Sequence, residues 1–110
     1  MTWLMREGEV LAALEVADSR KARRKGLLGR DGFGGALLFK PARSGVHSFG
    51  MRFDMDVALC DRGLVVRRVV CLRPWRMTRP SLLTPCVIEA EAGAFERWRL
   101  KIGDQLEIKE

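Results

Sequence analysis

Asp56-Val57-Ala58-Leu59-Cys60-Asp61-Arg62-Gly63-Leu64-Val65-Val66-Arg67-Arg68-Val69-Val70-Cys71-Leu72 is the stretch whose reading decides the fold. Two apolar runs, the second rich in Val, flank Asp61-Arg62-Gly63, a compact turn signal, so the segment reads as a β-hairpin. Upstream, Ala36-Leu37-Leu38-Phe39-Lys40 reads as a buried strand stopped by Pro41, and residues 45–51 as a further extended piece. Downstream, Cys86-Val87-Ile88-Glu89-Ala90 is another strand. Residues 9–17 alternate loosely and are taken as a strand.

Helices are few. Asp18-Ser19 supplies side-chain oxygens for the exposed N–H groups of a first helical turn, and a short basic helix is expected over residues 20–28, closed by Gly29. The spacing of Phe95 and Trp98 predicts a short amphipathic helix over residues 93–100. Gly103-Asp104 then turns the chain into a last strand with Leu106 and Ile108 on one face. The class expected is α+β: one compact, β-rich domain over residues 1–110, with mostly antiparallel strands and one or two short helices.

Composition narrows the function. A chain of 110 residues with 47% apolar content can bury one core without a disulfide or a metal. No apolar run approaches the roughly 20 residues needed to cross a bilayer, and residues 1–7 lack a basic and apolar leader, so a cytoplasmic location is expected. Cys60, Cys71 and Cys86 are widely spaced beside a single histidine. They read as reduced thiols acting as small hydrophobes, with no metal and no cofactor expected. Charge is uneven: residues 1–19 carry a net −3, residues 20–79 a net +11 and residues 80–110 a net −2. The basic middle raises nucleic-acid binding, although fifteen of the twenty basic residues are arginine, a pattern GC-rich codon usage also produces.

The densest polar cluster is His47-Ser48-Phe49-Gly50-Met51-Arg52-Phe53-Asp54-Met55-Asp56. Arg52 can fork onto a carboxylate or phosphate, His47 can titrate or donate, and Asp56 can orient either one. The structural alternative has Asp56 capping a turn or pairing with Arg52 while His47 satisfies a backbone group. Ser48, His47 and Asp56 also supply the residue types of a catalytic triad, but adjacent His and Ser on a strand point to opposite faces. Trp75, among Arg73, Arg76 and Arg79, has the makings of a stacking platform, or packs beneath the arginine stems.

With Arg23-Arg24-Lys25-Gly26-Leu27-Leu28-Gly29-Arg30 before this cluster, and Val87-Ile88-Glu89-Ala90-Glu91-Ala92-Gly93 and Gly103-Asp104 after it, the chain resembles the domain-of-unknown-function family 192 (uncharacterised protein family 0127). The likeness runs from about residue 10 to residue 109. It implies a compact β-rich fold with one or two helices and no known reaction. The positions matching the family's blocks are Arg30, His47, Met51, Arg52, Asp56, Glu89 and Asp104, and these form the candidate ligand-binding set. Asp54 stands where the family usually has proline, which loosens that turn and adds a carboxylate beside Asp56. Many family members look exported; with no leader read in residues 1–7, that location is not expected to carry over to this chain.

Three functions follow in order. The first is a non-enzymatic binding or accessory domain holding a small anionic or polyhydroxy ligand at His47, Arg52 and Asp56, with Glu89 as a possible fourth group. The second is a small enzyme using His47 as acid or base with Asp56. The third is nucleic-acid binding through the basic centre and Trp75.

Overall fold

Alternation along a strand places Met55, Val57 and Leu59 on one face and Asp56, Ala58 and Cys60 on the other. In the computed structural model, which describes residues 1–17, 34–40 and 46–110, both faces of this strand are covered. The strands are β1 (Trp3–Arg6), β2 (Glu9–Ala17), β3 (Ala36–Phe39), β4 (Met55–Cys60), β5 (Val66–Leu72), β6 (Cys86–Glu91) and β7 (Glu107–Lys109). A single short helix among the described residues, α1 (Ala94–Trp98), follows β6. The strands form one mixed sheet in the order β5-β4-β6-β3-β2-β1-β7. Among the described strands only β2 and β3 pair in parallel; the other pairings are antiparallel. The radius of gyration is 12.5 Å, that of a compact domain of this length.

The sheet curls. Val65 bridges Gln105, Val66 N–H donates to Asp104 O at 2.9 Å and Leu106 N–H to Leu64 O at 3.0 Å, so the start of β5 meets the approach to β7. Inside the curl lie Leu4, Leu14, Leu38, Ala58, Ile88, Phe95 and Leu106. On the opposite face, Leu37, Phe39, Met55, Val57, Leu59 and Val87 form a second apolar cluster, joined by Val46 and Met51 from the segment before β4. Burial on both faces explains why β3, β4 and β6 read as nearly continuous apolar runs.

The expected hairpin is present. Leu64 N–H donates to Asp61 O at 3.0 Å, and Asp61 N–H to Val65 O at 3.1 Å, with Leu64 at φ +66 closing the turn. Asp61 organises it: Oδ1 accepts from the N–H groups of Gly63 and Val65 at 2.9 and 3.0 Å, and Oδ2 pairs with Arg67 at 2.8 Å. The bond from Val65, then that from Arg67, holds its carboxyl below the ordinary 3.8. A lowered carboxyl contributes stability above its ordinary value and loses it as pH falls through the lowered one. Wild type should therefore lose more stability on acidification from neutral pH than Asp61→Asn, read as paired unfolding curves. Equal losses would show the Arg67 pairing to be inert.

Three expectations change. Of the extended piece expected at residues 45–51, the described residues 46–51 are not a regular strand: His47 makes one isolated bridge to Met77, and Gly50 at φ +83 turns the chain, with Met51 N–H returning to Ser48 O at 3.1 Å. β1 had no counterpart in the sequence reading. It folds back on β2 through Glu7-Gly8, both at positive φ, a tight two-residue connection that glycine makes accessible. Finally, Leu106 is buried just ahead of β7 while Ile108 is 37% exposed, so the last strand is a seam more than a core element. The basic helix expected at residues 20–28 lies outside the described residues.

Cys60 and Cys86 face each other across β4 and β6 inside the curl, where burial pushes the Cys60 thiol up to about 12 and raises Cys86. They act as the small hydrophobes expected, whereas Cys71 is exposed on β5. Near pH 7 a thiol reagent should label one site quickly, and Cys71→Ser should abolish that phase; three sites should react after denaturation. Rapid labelling of two or more native thiols would contradict this packing.

Candidate functional site

The segment 46–52 crosses the outer apolar face and is pinned by its own alternation. Val46 and Met51 point into the cluster beneath, and Val46 N–H donates to Thr78 Oγ1 at 2.9 Å. Ser48, fully buried, is the anchor. Its Oγ lies 2.5 Å from Arg73 O and accepts from Arg76 N–H at 2.9 Å, while its carbonyl accepts from Trp75 N–H at 3.1 Å. Ser48 thus fastens residues 73–76 with its hydroxyl committed to backbone groups, which takes it out of a nucleophile's role.

With Ser48 turned inward, its neighbours turn outward. His47 stacks on Phe49 with ring centroids 4.8 Å apart and planes at 20°, and Phe49 stacks on Trp75 at 6.0 Å and 29°. His47 Nδ1 accepts from Phe49 N–H at 3.3 Å. Phe49 is 42% exposed and Trp75 64%, and Trp75 sits at φ +62, a conformation that side chains with a Cβ rarely adopt. Arg52, Arg73, Arg76 and Arg79, on the two segments that carry this row, are all exposed.

The other candidate residues go elsewhere. Asp56 points to the face opposite the 46–51 segment, and its Oδ2 accepts from Gly93 N–H at 3.0 Å and Phe95 N–H at 3.1 Å. It therefore caps α1, whose own N-cap, Gly93, offers no side chain. Asp104 lies by the start of β5, while Ser48 and His47 lie beyond its end, about 20 Å away along the strand. Asp104 Oδ2 accepts from Arg6 at 3.0 Å and from Lys101 N–H at 2.9 Å. Arg6 in turn donates to Trp98 O at 2.6 Å and Arg99 O at 3.2 Å, closing the other end of α1.

Glu89 is fully buried, opposite Leu37 and Val57 on the outer face, so the sheet separates it from Asp56. His47, Arg52 and Glu89 each have an interaction partner. Met51 is core, and Arg30 lies outside the described residues. His47 and Arg52 thus share one turn, while Asp56 and Asp104 support α1. Phe49 was absent from the candidate set; its adjacency to His47 and Ser48 was the available signal. Among the described residues, no group of three or more His, Cys, Asp or Glu is placed to hold a metal, and no helix is long and apolar enough to cross a membrane.

The architecture defined by this sheet and its short capped helix recurs in solved proteins. A crystal structure of a protein of unknown function from Novosphingobium aromaticivorans DSM 12444 superposes with a TM-score of 0.75 at 21% identity, covering 96% of this chain and 82% of that one. A second, from Sinorhizobium meliloti 1021 and described as a candidate transcription regulator, gives 0.75 at 19% identity, covering 96% and 90%. These likenesses establish the shared fold.

The chain belongs to the family of domain of unknown function 192, described as Uncharacterized ACR, whose model matches residues 2–108. It is 32% identical over 106 residues to a UPF0127 protein of Pyrococcus abyssi (strain GE5 / Orsay), covering 92% of this chain and 86% of that protein.

Proposed function

We propose that this α+β domain is a non-enzymatic binding module of the cytoplasm, with the row His47–Phe49–Trp75 and the neighbouring Arg52 as its recognition surface. The ligand it suits joins a flat or polyhydroxylated ring to an anionic group: the ring stacks on Phe49 or Trp75, and arginine forks onto the anion. The observation that carries this reading is Trp75. A bulky residue in the left-handed region costs on the order of 1–3 kcal/mol, yet the ring it presents is 64% exposed. Strain with so little burial in return is the mark of a residue retained for a contact outside the fold.

Asp56, Asp104 and Glu89 fit this reading as scaffold: the first two hold α1 and the third is buried on the outer face of the sheet beside Leu37 and Val57. The test is an amide-resolved titration of the intact protein with sugar phosphates, uronic acids and mononucleotides. Shifts concentrated at residues 47–52 and 73–77, lost in Trp75→Ala, are expected for at least one class. A panel that leaves both segments unmoved would remove the proposal.

A further inference from the structure

Between Asp61 and Glu89 the chain has no acidic residue, yet it carries Arg62, Arg67, Arg68, Arg73, Arg76 and Arg79, and every one is exposed. Arg67 alone among these six forms an ion pair with another described residue, Asp61. The rest hold their charge in solvent: Arg62 in the hairpin turn, Arg68 on β5, and Arg73, Arg76 and Arg79 in the loop that follows. β5 ends the strand order; from Arg67 onward it pairs with β4 only, so its outer side is uncovered by any described strand. The cationic track is interrupted: Arg67 and Arg68 stand at the first end of β5, residues 69–72 carry no charge, and Arg73, Arg76 and Arg79 follow in the loop that holds Trp75, the outermost ring of the row, about 20 Å further along.

Resting on the binding role given to the row, we infer that its ligand is single-stranded nucleic acid, with unpaired bases on Trp75 and Phe49 and phosphates at the loop arginines Arg73, Arg76 and Arg79 and at Arg68 on β5. A track of separated guanidiniums selects a chain of repeated anions over one small anion, because each fork takes one phosphate. A ring lying open in the arginine-bearing loop selects a polymer with π faces, and those faces are available only where bases are unpaired.

The test measures fluorescence anisotropy of labelled dT8 and rU8 with the intact protein at several potassium chloride concentrations. One octamer or both should bind at low salt, and comparison of the two separates DNA from RNA. Affinity should fall linearly with log salt at about 0.7 per phosphate contacted. Arg68→Gln, Arg73→Gln and Arg76→Gln should each flatten that slope by about this amount. Trp75→Ala should weaken binding about tenfold without changing the slope; as an exposed position it should leave the unfolding midpoint unchanged, and Trp75→Phe should restore part of the affinity.

No binding at low salt, equal competition by a sulfated oligosaccharide, tighter binding of duplex, or indifference to Trp75→Ala would each overturn the inference. The mononucleotide titration separates the two proposals. If small ligands shift the row but the octamers bind no tighter than a mononucleotide, the row stands and the arginine track does not. If nothing shifts the row, both fall.

Discussion

Ile88→Ala should cost about 3–5 kcal/mol, a large share of the roughly 5–15 kcal/mol that holds a domain of this size together. Ile88 is fully buried inside the curl at the middle of β6, paired with Leu38 on one side and Ala58 on the other. Two neighbouring strands fix its surroundings, so the walls cannot close on the space left behind, and lost transfer energy adds to a persistent cavity. Denaturant unfolding should show a lower midpoint with an unchanged slope. Val69→Ala, on exposed β5, should lie within about 0.5 kcal/mol of wild type. Similar losses at the two positions would mean that the outer strand is covered in solution.

Arg6→Ala should cost about 2–3 kcal/mol, more than an ordinary surface arginine. The guanidinium reaches Trp98 O, Arg99 O and Asp104 Oδ2 together, with 17% of the side chain exposed. It satisfies carbonyls that the five-residue helix cannot satisfy itself, and joins β1 to the turn ahead of β7. Arg6→Lys should recover little, since one ammonium cannot span these acceptors in the geometry of a planar fork. Arg6→Ala combined with Asp104→Ala should cost less than the sum of the single changes, because the two share one contact. Strict additivity, or full rescue by lysine, would show the network to be incidental.

What could be read from the sequence follows the range over which each feature is determined. The hairpin at Asp61, the buried runs of β3 and β6 and the helix carrying Phe95 and Trp98 are set by turn chemistry or periodicity within about ten residues. β1 has only four residues and too short a pattern to stand out, although Glu7-Gly8 marked its turn. The stretch at residues 45–51 has strand-like apolar content, but Gly50 and the bonds to Ser48 turn it. The grouping of polar residues was least legible because pairing is non-local. Asp56 meets a helix 37 residues later, and Arg6 meets Asp104 across 98. One step of alternation sends Glu89 and Asp56 to opposite sides of the same sheet. The row itself joins Phe49 to Trp75 through Ser48, a buried serine whose partners no local pattern reveals.

The seam that closes the curl has a temporal consequence. Trp3 pairs with Lys109 and Val65 with Gln105, so the first strand waits for a partner made about a hundred residues later. At roughly 5–20 residues per second on the ribosome, that delay lasts about 5–20 seconds, during which the β4–β5 hairpin can already form. Until residues 103–109 emerge, the free edge of β1 and the apolar lining around Leu4 and Leu14 face water. Over that interval the open edge is a template to which a strand of another chain can add.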